Sequence, residues 1–326
     1  MNPNPCRFGF RVVGPTTEPR RLVDHAAAFR AHAECDSRAE THRECYLSAF
    51  QFGEDFADWL NANDSPKGYA GACWSPWLWL DIDREELDHA TRDARRLAAF
   101  AVDRWRLDGD ELLLFFSGSK GFHIGLPLSR CGILEPSTTF NGQCRRLAER
   151  LATEAGTHID DGVFDRVRLF RAPNSWHPRT GRRKRRLSFD ELLNVRTEAI
   201  VERAAEPLPF ELPDPPHPHP QAVADWRDAG EEIVRRAADL TERRTTANGA
   251  GRLNRSTLAF IREGATVGDR ARTLYAAARN LADHGCPQEL AHELLTEAAL
   301  DSGLPPSETR RQIDCGWNDS RKDSPR

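Results

Sequence analysis

The feature that most restricts this chain is a run of prolines. In EPLPFELPDPPHPHPQ, residues 206–221, positions 207, 209, 213, 215, 216, 218 and 220 are proline. Proline has no backbone N–H and clashes with the preceding helical turn, so the run can neither fill a sheet ladder nor continue a helix. Such a stretch favours extended polyproline II and reads as a semi-rigid spacer. The expected organisation is therefore a domain over 1–205, a linker over 206–225 and a second domain over 226–326. His217 and His219, inside the run, read as solvated linker residues.

With 326 residues the chain can bury two cores of ordinary size. Its formal net charge is −4, which argues against a uniformly basic nucleic-acid coat but permits a local basic track. Only four of its 46 basic side chains are lysine. The start, MNPNPCRFGFRVV, has no apolar signal segment, and no stretch approaches the ~20 apolar residues that span a bilayer. Eight cysteines without such a segment are expected to stay reduced. The expectation is a cytoplasmic protein with no membrane contact.

Upstream of the prolines, strand and helix patterns mix. Residues 22–34, 53–62, 85–106 and 140–155 read as helices, the third with Leu87, Ala90, Leu97, Phe100 and Val102 on its apolar face. YLSAFQF (46–52) alternates like a strand, and WSPWLWLDID (74–83) reads as a buried one. ELLLFFSGSKGFHIGLPL (111–128) reads as two apolar runs joined by a glycine turn. Downstream the pattern is helical: Gly285 and Gly303 stop helices, Pro287 opens one, and Ser307 caps a short last one. Leu274, Leu281, Leu290, Leu294 and Ile313 read as its core, and SRKDSPR as a frayed tail. The fold class is α+β followed by an all-α bundle.

Three segments carry chemistry. In a strand, Asp81 and Asp83 point to one face while Ile82 points to the other. Paired carboxylates repel unless a cation lies between them, although acids at a strand end are also common as solvated turn residues. Ser117-Gly118-Ser119-Lys120-Gly121-Phe122-His123 gathers backbone amides, hydroxyls, an ammonium and an imidazole, a composition suited to a polyphosphate and equally to a plain hairpin turn. It is not a GxxxxGK[ST] loop. Ile159-Asp160-Asp161 precedes Arg166, Arg168 and Arg171, then RAPNSWHPRTG with His177 and Arg179, then the basic run Arg182-Arg183-Lys184-Arg185-Arg186. Arg166 and Arg168 would share one face of an extended segment, a phosphate-binding arrangement. A solvated loop would account for the basic run as well.

Together, in this order, the three segments resemble the motifs of the archaeo-eukaryotic primase superfamily: an acid pair DxD, a loop SGxxGxH, and a hydrophobic-Asp followed by R/K-x-P-x-S-x-H-P-K-T-G. The resemblance covers roughly residues 40–190. It implies an RRM-like sheet joined to a flanking α/β unit. It further implies that Asp81, Asp83 and Asp160 hold two Mg²⁺ or Mn²⁺ ions for nucleotidyl transfer, with Asp161 an alternative ligand to Asp160. Ser117, Ser119, Lys120, His123, Arg171 and His177 would hold an incoming NTP or dNTP. Residues 182–186 lie outside the motif and are assigned to template or primer phosphates, along with Arg166, Arg168 and Arg179.

The helical part resembles the small domain that follows the catalytic module in many phage and plasmid primases, with Arg252, Arg255, Arg270 and Arg272 as candidate contacts. The implied activity is primer synthesis on single-stranded DNA, with any helicase or other replication protein acting as a separate chain. Two readings stay open beside it: a polymerase that extends ends in repair or gap filling, and a replication-origin binding protein with a vestigial site. His32, Cys35, His42 and Cys45 have ligand types suited to Zn²⁺, but their tight spacing and the predicted helix under His32 and Cys35 favour ordinary core residues.

Overall fold

Two antiparallel sheets face each other across one aromatic layer. This computed structural model describes residues 6–248, 253–265 and 268–322. The first sheet contains β1 (Phe8–Val13), β2 (Arg21–Asp24), β3 (Cys45–Ser48), β4 (Gln51–Phe52), β5 (Cys73–Trp74) and β9 (Leu169–Arg171). β2 lies on one edge of β1. On the other edge β3 and β4 follow it, offset from each other by the break at Ala49–Phe50. The expected single strand over 46–52 is thus two: the Ala49 N–H still bonds the Arg168 carbonyl beside β9, while pairing with β1 stops at Leu47 and resumes at Phe52.

The second sheet has the order β10 (Arg185–Leu187), β7 (Leu113–Phe116), β8 (Gly121–Pro127), β6 (Trp77–Asp83), all antiparallel. On its outer face lies the helix α3 (Leu87–Trp105). It buries a face made largely of alanine (Ala90, Ala94, Ala98 and Ala101) with Leu97 and Trp105, while Phe100 and Val102 are only half-buried. The remaining helices of this part are α1 (His25–Ala33), α2 (Glu54–Asn63), α4 (Phe140–Glu154), α5 (Phe189–Asn194) and α6 (Thr197–Arg203). The inner aromatic layer joins the sheets: Trp79 of β6 packs on Phe170 of β9 at 5.2 Å and on Phe115 of β7 at 6.3 Å.

The chain divides into two compact units, 1–235 and 236–326, and the proline run is not the divider. It lies as a strap along the first unit. Proline removes seven of its sixteen backbone donors, and three of the rest tie it down: Leu208 N–H bonds Asn174 Oδ1 at 2.9 Å, Phe210 N–H the Ala33 carbonyl at 3.0 Å, and His219 N–H the Arg130 carbonyl at 2.8 Å. Phe210 and Leu212 pack into the core. The expected linker over 206–225 is therefore corrected. Its last residues already belong to α7 (Pro220–Asn248), whose Ala222, Asp225 and Ala229 are buried in the first unit.

The second unit contains α8 (Arg255–Glu263), α9 (Arg270–Asp283), α10 (Gln288–Asp301) and α11 (Pro306–Lys322). Leu274, Leu281 and Ile313 are core as expected and Leu294 packs against them, but Leu290 is 44% exposed. α10 buries Ala291, Leu295 and Ala299, spaced four apart, which turns Leu290 outward. The last helix is not short: it begins at Pro306, so Ser307 lies in its first turn, and it reaches Lys322, beyond the expected onset of fraying. Residues 323–326 lie outside the described residues. Among those described, no helix is long and apolar enough to cross a membrane.

The strap ends in a buried ionic knot. Asp225, 1% exposed, accepts from Arg104 Nε and Nη2 at 2.7 and 2.8 Å, Trp105 Nε1 at 2.9 Å, Gln221 at 2.9 Å and Arg150 at 3.1 Å. Burial opposes its charge, yet these donors hold its carboxyl below the usual range. Removing one partner strands the others, so Asp225→Ala should destabilise the first unit by about 3–5 kcal/mol. Urea unfolding of the intact chain measures this, and a loss below about 1 kcal/mol would mean the knot behaves as a solvated surface pair.

Candidate functional site

The site forms where β6 runs along the edge of its sheet. On the inner side Asp81 pairs opposite His123 of β8, and Asp83 opposite Gly121. Leu78, Leu80 and Ile82 are fully buried, as the two-residue period requires, so Asp81 and Asp83 share the opposite face with Trp79. The outer side of an edge strand has unpaired carbonyls. One of them, Asp81 O, accepts from the Asp160 N–H at 2.8 Å, which brings the third acid beside the first two. Arg84 secures the same junction, donating to the Asp83 carbonyl at 2.7 Å and the His158 carbonyl at 2.6 Å.

Between β7 and β8 the loop Ser117–Lys120 folds around one hydroxyl. Ser117 Oγ accepts from the Gly121 N–H at 3.2 Å and the Ser119 N–H at 3.4 Å. Gly118 has φ +90°, a conformation that side chains other than glycine rarely adopt. Any Cβ on Gly121 would come within 2.2 Å of the Ile82 carbonyl and 2.3 Å of Asp83 Oδ1. Glycine there lets the loop close onto the acid strand, and Lys120 Nζ reaches Asp83 Oδ2 at 3.1 Å. The 177–181 turn is tied to this loop, because Thr180 Oγ1 donates to the Gly118 carbonyl at 2.6 Å.

Burial and the neighbouring charges of Asp83 and Asp160 push the Asp81 carboxyl up to about 7. Its Oδ1 is buried without a hydrogen-bond donor. His123 Nε2 stands 3.5 Å away, but burial drives that imidazole well below its usual range, so the contact is not an ion pair. Three oxygen-bearing acids, one of them buried and unsatisfied, form a donor set that suits a hard divalent cation such as Mg²⁺ or Mn²⁺. Among the described residues, no three His, Cys, Asp or Glu side chains are drawn together closely enough to hold a metal ion as they stand.

Asp161 does not join this group: its carboxylate is paired with Arg145. Arg171 lies over the Tyr46 ring, 4.8 Å from its centroid, and donates to Tyr46 Oη at 2.8 Å and the Trp176 carbonyl at 3.1 Å. His177 is half-buried beside the glycine loop, its Nδ1 without a partner, and burial followed by Arg171 lowers its pKa.

The basic run needs the largest correction. Arg183 donates to the Thr41 and Asn174 carbonyls, Arg185 to the Arg203 carbonyl, and Arg186 to the Leu112, Leu114 and Leu187 carbonyls. Arg185 and Arg186 belong to β10, and Lys184 is wholly buried. Their donors are spent inside the protein and do not form a solvated phosphate track. Arg166 is likewise in a turn, bonding the Tyr69 and Thr138 carbonyls, and does not share an extended face with Arg168. Arg168 and Arg179 remain exposed and Arg182 half-exposed.

Of the zinc candidates, His32 is buried with Nδ1 3.1 Å from the Pro173 carbonyl, and burial pushes it down to about 3. Cys45 is buried against Arg11, Cys35 is half-buried after α1, and His42 is exposed in a turn. In the second unit Arg270 donates to the Ser302 carbonyl, Arg272 pairs with Asp269, Arg255 is exposed and Arg252 lies outside the described residues.

The sequence reading missed Glu44, Tyr46, Arg84 and Phe170, and gave no role to Thr180, which lies inside the RAPNSWHPRTG stretch. Of the four, only Arg84 carried a signal, by adjoining the acid pair. Tyr46 and Glu44 reach the site through the pairing of β3 with β9, which places Tyr46 opposite Arg171.

The raised Asp81 carboxyl has a direct consequence. The folded chain retains a proton there between pH 3.8 and about 7 that the unfolded chain gives up, so metal-free stability falls as pH rises through that window. At pH 8, Asp81→Asn should therefore raise the melting temperature of the metal-free protein by roughly 5–10 °C, and the gain should vanish near pH 4. Equal melting temperatures for the two proteins at pH 8 would show the carboxylate to be solvated.

No protein-family model matches the chain, and neither a curated protein nor a solved structure matches it.

Proposed function

We propose that the chain is a DNA primase or primase-polymerase, a template-dependent nucleotidyltransferase acting on NTPs or dNTPs, with the first unit as a catalytic core of the archaeo-eukaryotic primase type. The observation that carries this reading is the meeting of three separate segments. The acids Asp81 and Asp83, the acid Asp160 and the loop Ser117–Gly121 converge at one end of β6, in contact through backbone hydrogen bonds and Lys120.

Asp81, Asp83 and Asp160 would hold Mg²⁺ or Mn²⁺, which when bound would activate a primer 3′-hydroxyl and offset charge as pyrophosphate leaves. The chain's own groups supply the rest. Lys120, exposed and paired only with Asp83, can swing to a triphosphate once that carboxylate is engaged elsewhere. Arg171 and His177 flank the loop from the 171–177 segment. The neutral state favoured for His123 suits hydrogen bonding to a ligand oxygen without trapping it electrostatically.

Nucleic-acid phosphates would be met by Arg168, Arg179 and Arg182, three basic side chains near this site that keep exposure. Arg179→Ala combined with Arg182→Ala should lower the salt dependence of single-strand binding by about one to two units of slope. Arg186→Ala should instead lower the melting temperature and leave that slope unchanged. Fluorescence anisotropy at several salt concentrations separates the two outcomes.

The activity itself is tested with a single-stranded template, labelled nucleotides and Mg²⁺ or Mn²⁺, with and without a primer. Products without primer support initiation, and products only with primer support end extension. Asp81→Ala with Asp83→Ala should reduce either by at least about 100-fold. If the wild type and this variant are equally inactive while binding DNA alike, the chain is a binding protein.

A further inference from the structure

Lys184 belongs to none of the three motifs, and among the described residues it is the one lysine or arginine buried outright, at 0% exposure. An ammonium removed from water is costly unless its hydrogens find partners. Here Nζ donates to the Arg171 carbonyl at 2.8 Å and lies 4.1 Å from the Phe170 ring centroid, 4.8 Å from Phe115 and 5.2 Å from Trp79. Three aromatic faces satisfy the remaining charge by cation–π attraction. Phe170 and Arg171 belong to the first sheet, Phe115 and Trp79 to the second, so the ammonium pins the two together.

What it pins is the ligand-facing side of the site. The Phe170 ring, in contact with Lys184, also stacks on His123 at 4.2 Å. Arg171, whose carbonyl Lys184 grips, sends its guanidinium to the Trp176 carbonyl. The turn between them is built on the Lys184 backbone: Asn174 N–H bonds the Lys184 carbonyl at 2.8 Å, and Lys184 N–H bonds the Ser175 carbonyl at 3.1 Å. A well-packed apolar side chain could fill such a volume with equal or greater stability. A lysine kept there points to something other than folding.

We propose that Lys184 is a positioning residue for the anionic ligand, acting through the Arg171 carbonyl and through the Phe170–His123 stack to hold Arg171 and His123 in place. This rests on the function proposed above, since the ligand is taken to be a nucleoside triphosphate. Burial drives the Lys184 ammonium well below its usual range, an effect the nearby Asp81 carboxyl opposes, so the role assigned to Lys184 rests on its contacts with Arg171, Phe170, Phe115 and Trp79.

The test uses the full chain with Lys184→Met, which keeps length and apolar packing but loses the ammonium. Three quantities are read: melting temperature, hydrogen exchange over residues 169–176, and affinity for a fluorescent ATP analogue with Mn²⁺. Asp225→Asn serves as the control, because it weakens the same unit through a different network. Lys184→Met should melt no lower than the wild type by more than a few degrees. It should exchange about 10-fold faster over 169–176 and bind the analogue about 10-fold more weakly, while the control binds normally. If Lys184→Met fails to fold, Lys184→Gln, which keeps a donor, is read the same way.

Exchange at the wild-type rate overturns the proposal, as does unchanged affinity, or an affinity loss equal to that of Asp225→Asn. A wild type that binds no triphosphate removes the functional reading of the site. The exchange rate then decides by itself whether Lys184 holds Arg171 in place.

Discussion

The register that sets Asp81 opposite His123 is the constraint from which the site follows. Strand side chains alternate with period two, so a slip of one residue between β6 and β8 would bury the acids and expose Leu80 and Ile82. The apolar face of β6 forbids that slip. Once the register is set, Gly121 must lie against the Ile82 carbonyl, the loop before it must close on Asp83, and Lys120 comes within reach of that carboxylate. The edge position of β6 then leaves the Asp81 carbonyl free to capture Asp160, and a third acid arrives from a segment far along the chain.

Charge inside the first unit is handled in two different ways. At Asp225 several donors converge on one carboxylate, so its burial is matched by direct hydrogen bonds. At Asp81 no donor reaches Oδ1, and neighbouring acids add repulsion. The first arrangement fastens the end of the strap to α3 and α4. The second is unfavourable for the empty fold and is relieved by a cation or a proton.

The arginine-rich run shows how composition can mislead. Five consecutive cations look like a surface track for phosphates. Arg186 instead reaches along its own sheet to the Leu112 and Leu114 carbonyls, and Arg185 and Arg183 answer the carbonyls of Arg203, Thr41 and Asn174. The planar guanidinium, with five donors, suits such bridging of backbone acceptors. The local abundance of charge was visible, but its partners are carbonyls brought near by sheet pairing, which no linear spacing encodes. The proline run misled similarly: its lack of donors was legible, whereas the few acceptors that meet its remaining N–H groups come from Ala33, Asn174 and Arg130.

By itself the sequence determined the α+β order of elements, the strand face shared by Asp81 and Asp83, the glycine turn after β7 and the helical end of the chain. These are local properties: side-chain period, glycine and proline stereochemistry, and helix stop signals. Only the tertiary structure decided that Asp160 and not Asp161 joins the acids, and that Tyr46 and Glu44 flank Arg171. It alone placed Lys184 between the sheets and moved the division of the chain into α7. Each of those outcomes depends on which distant backbone groups become neighbours when two sheets pack, and that is a property of the assembled core.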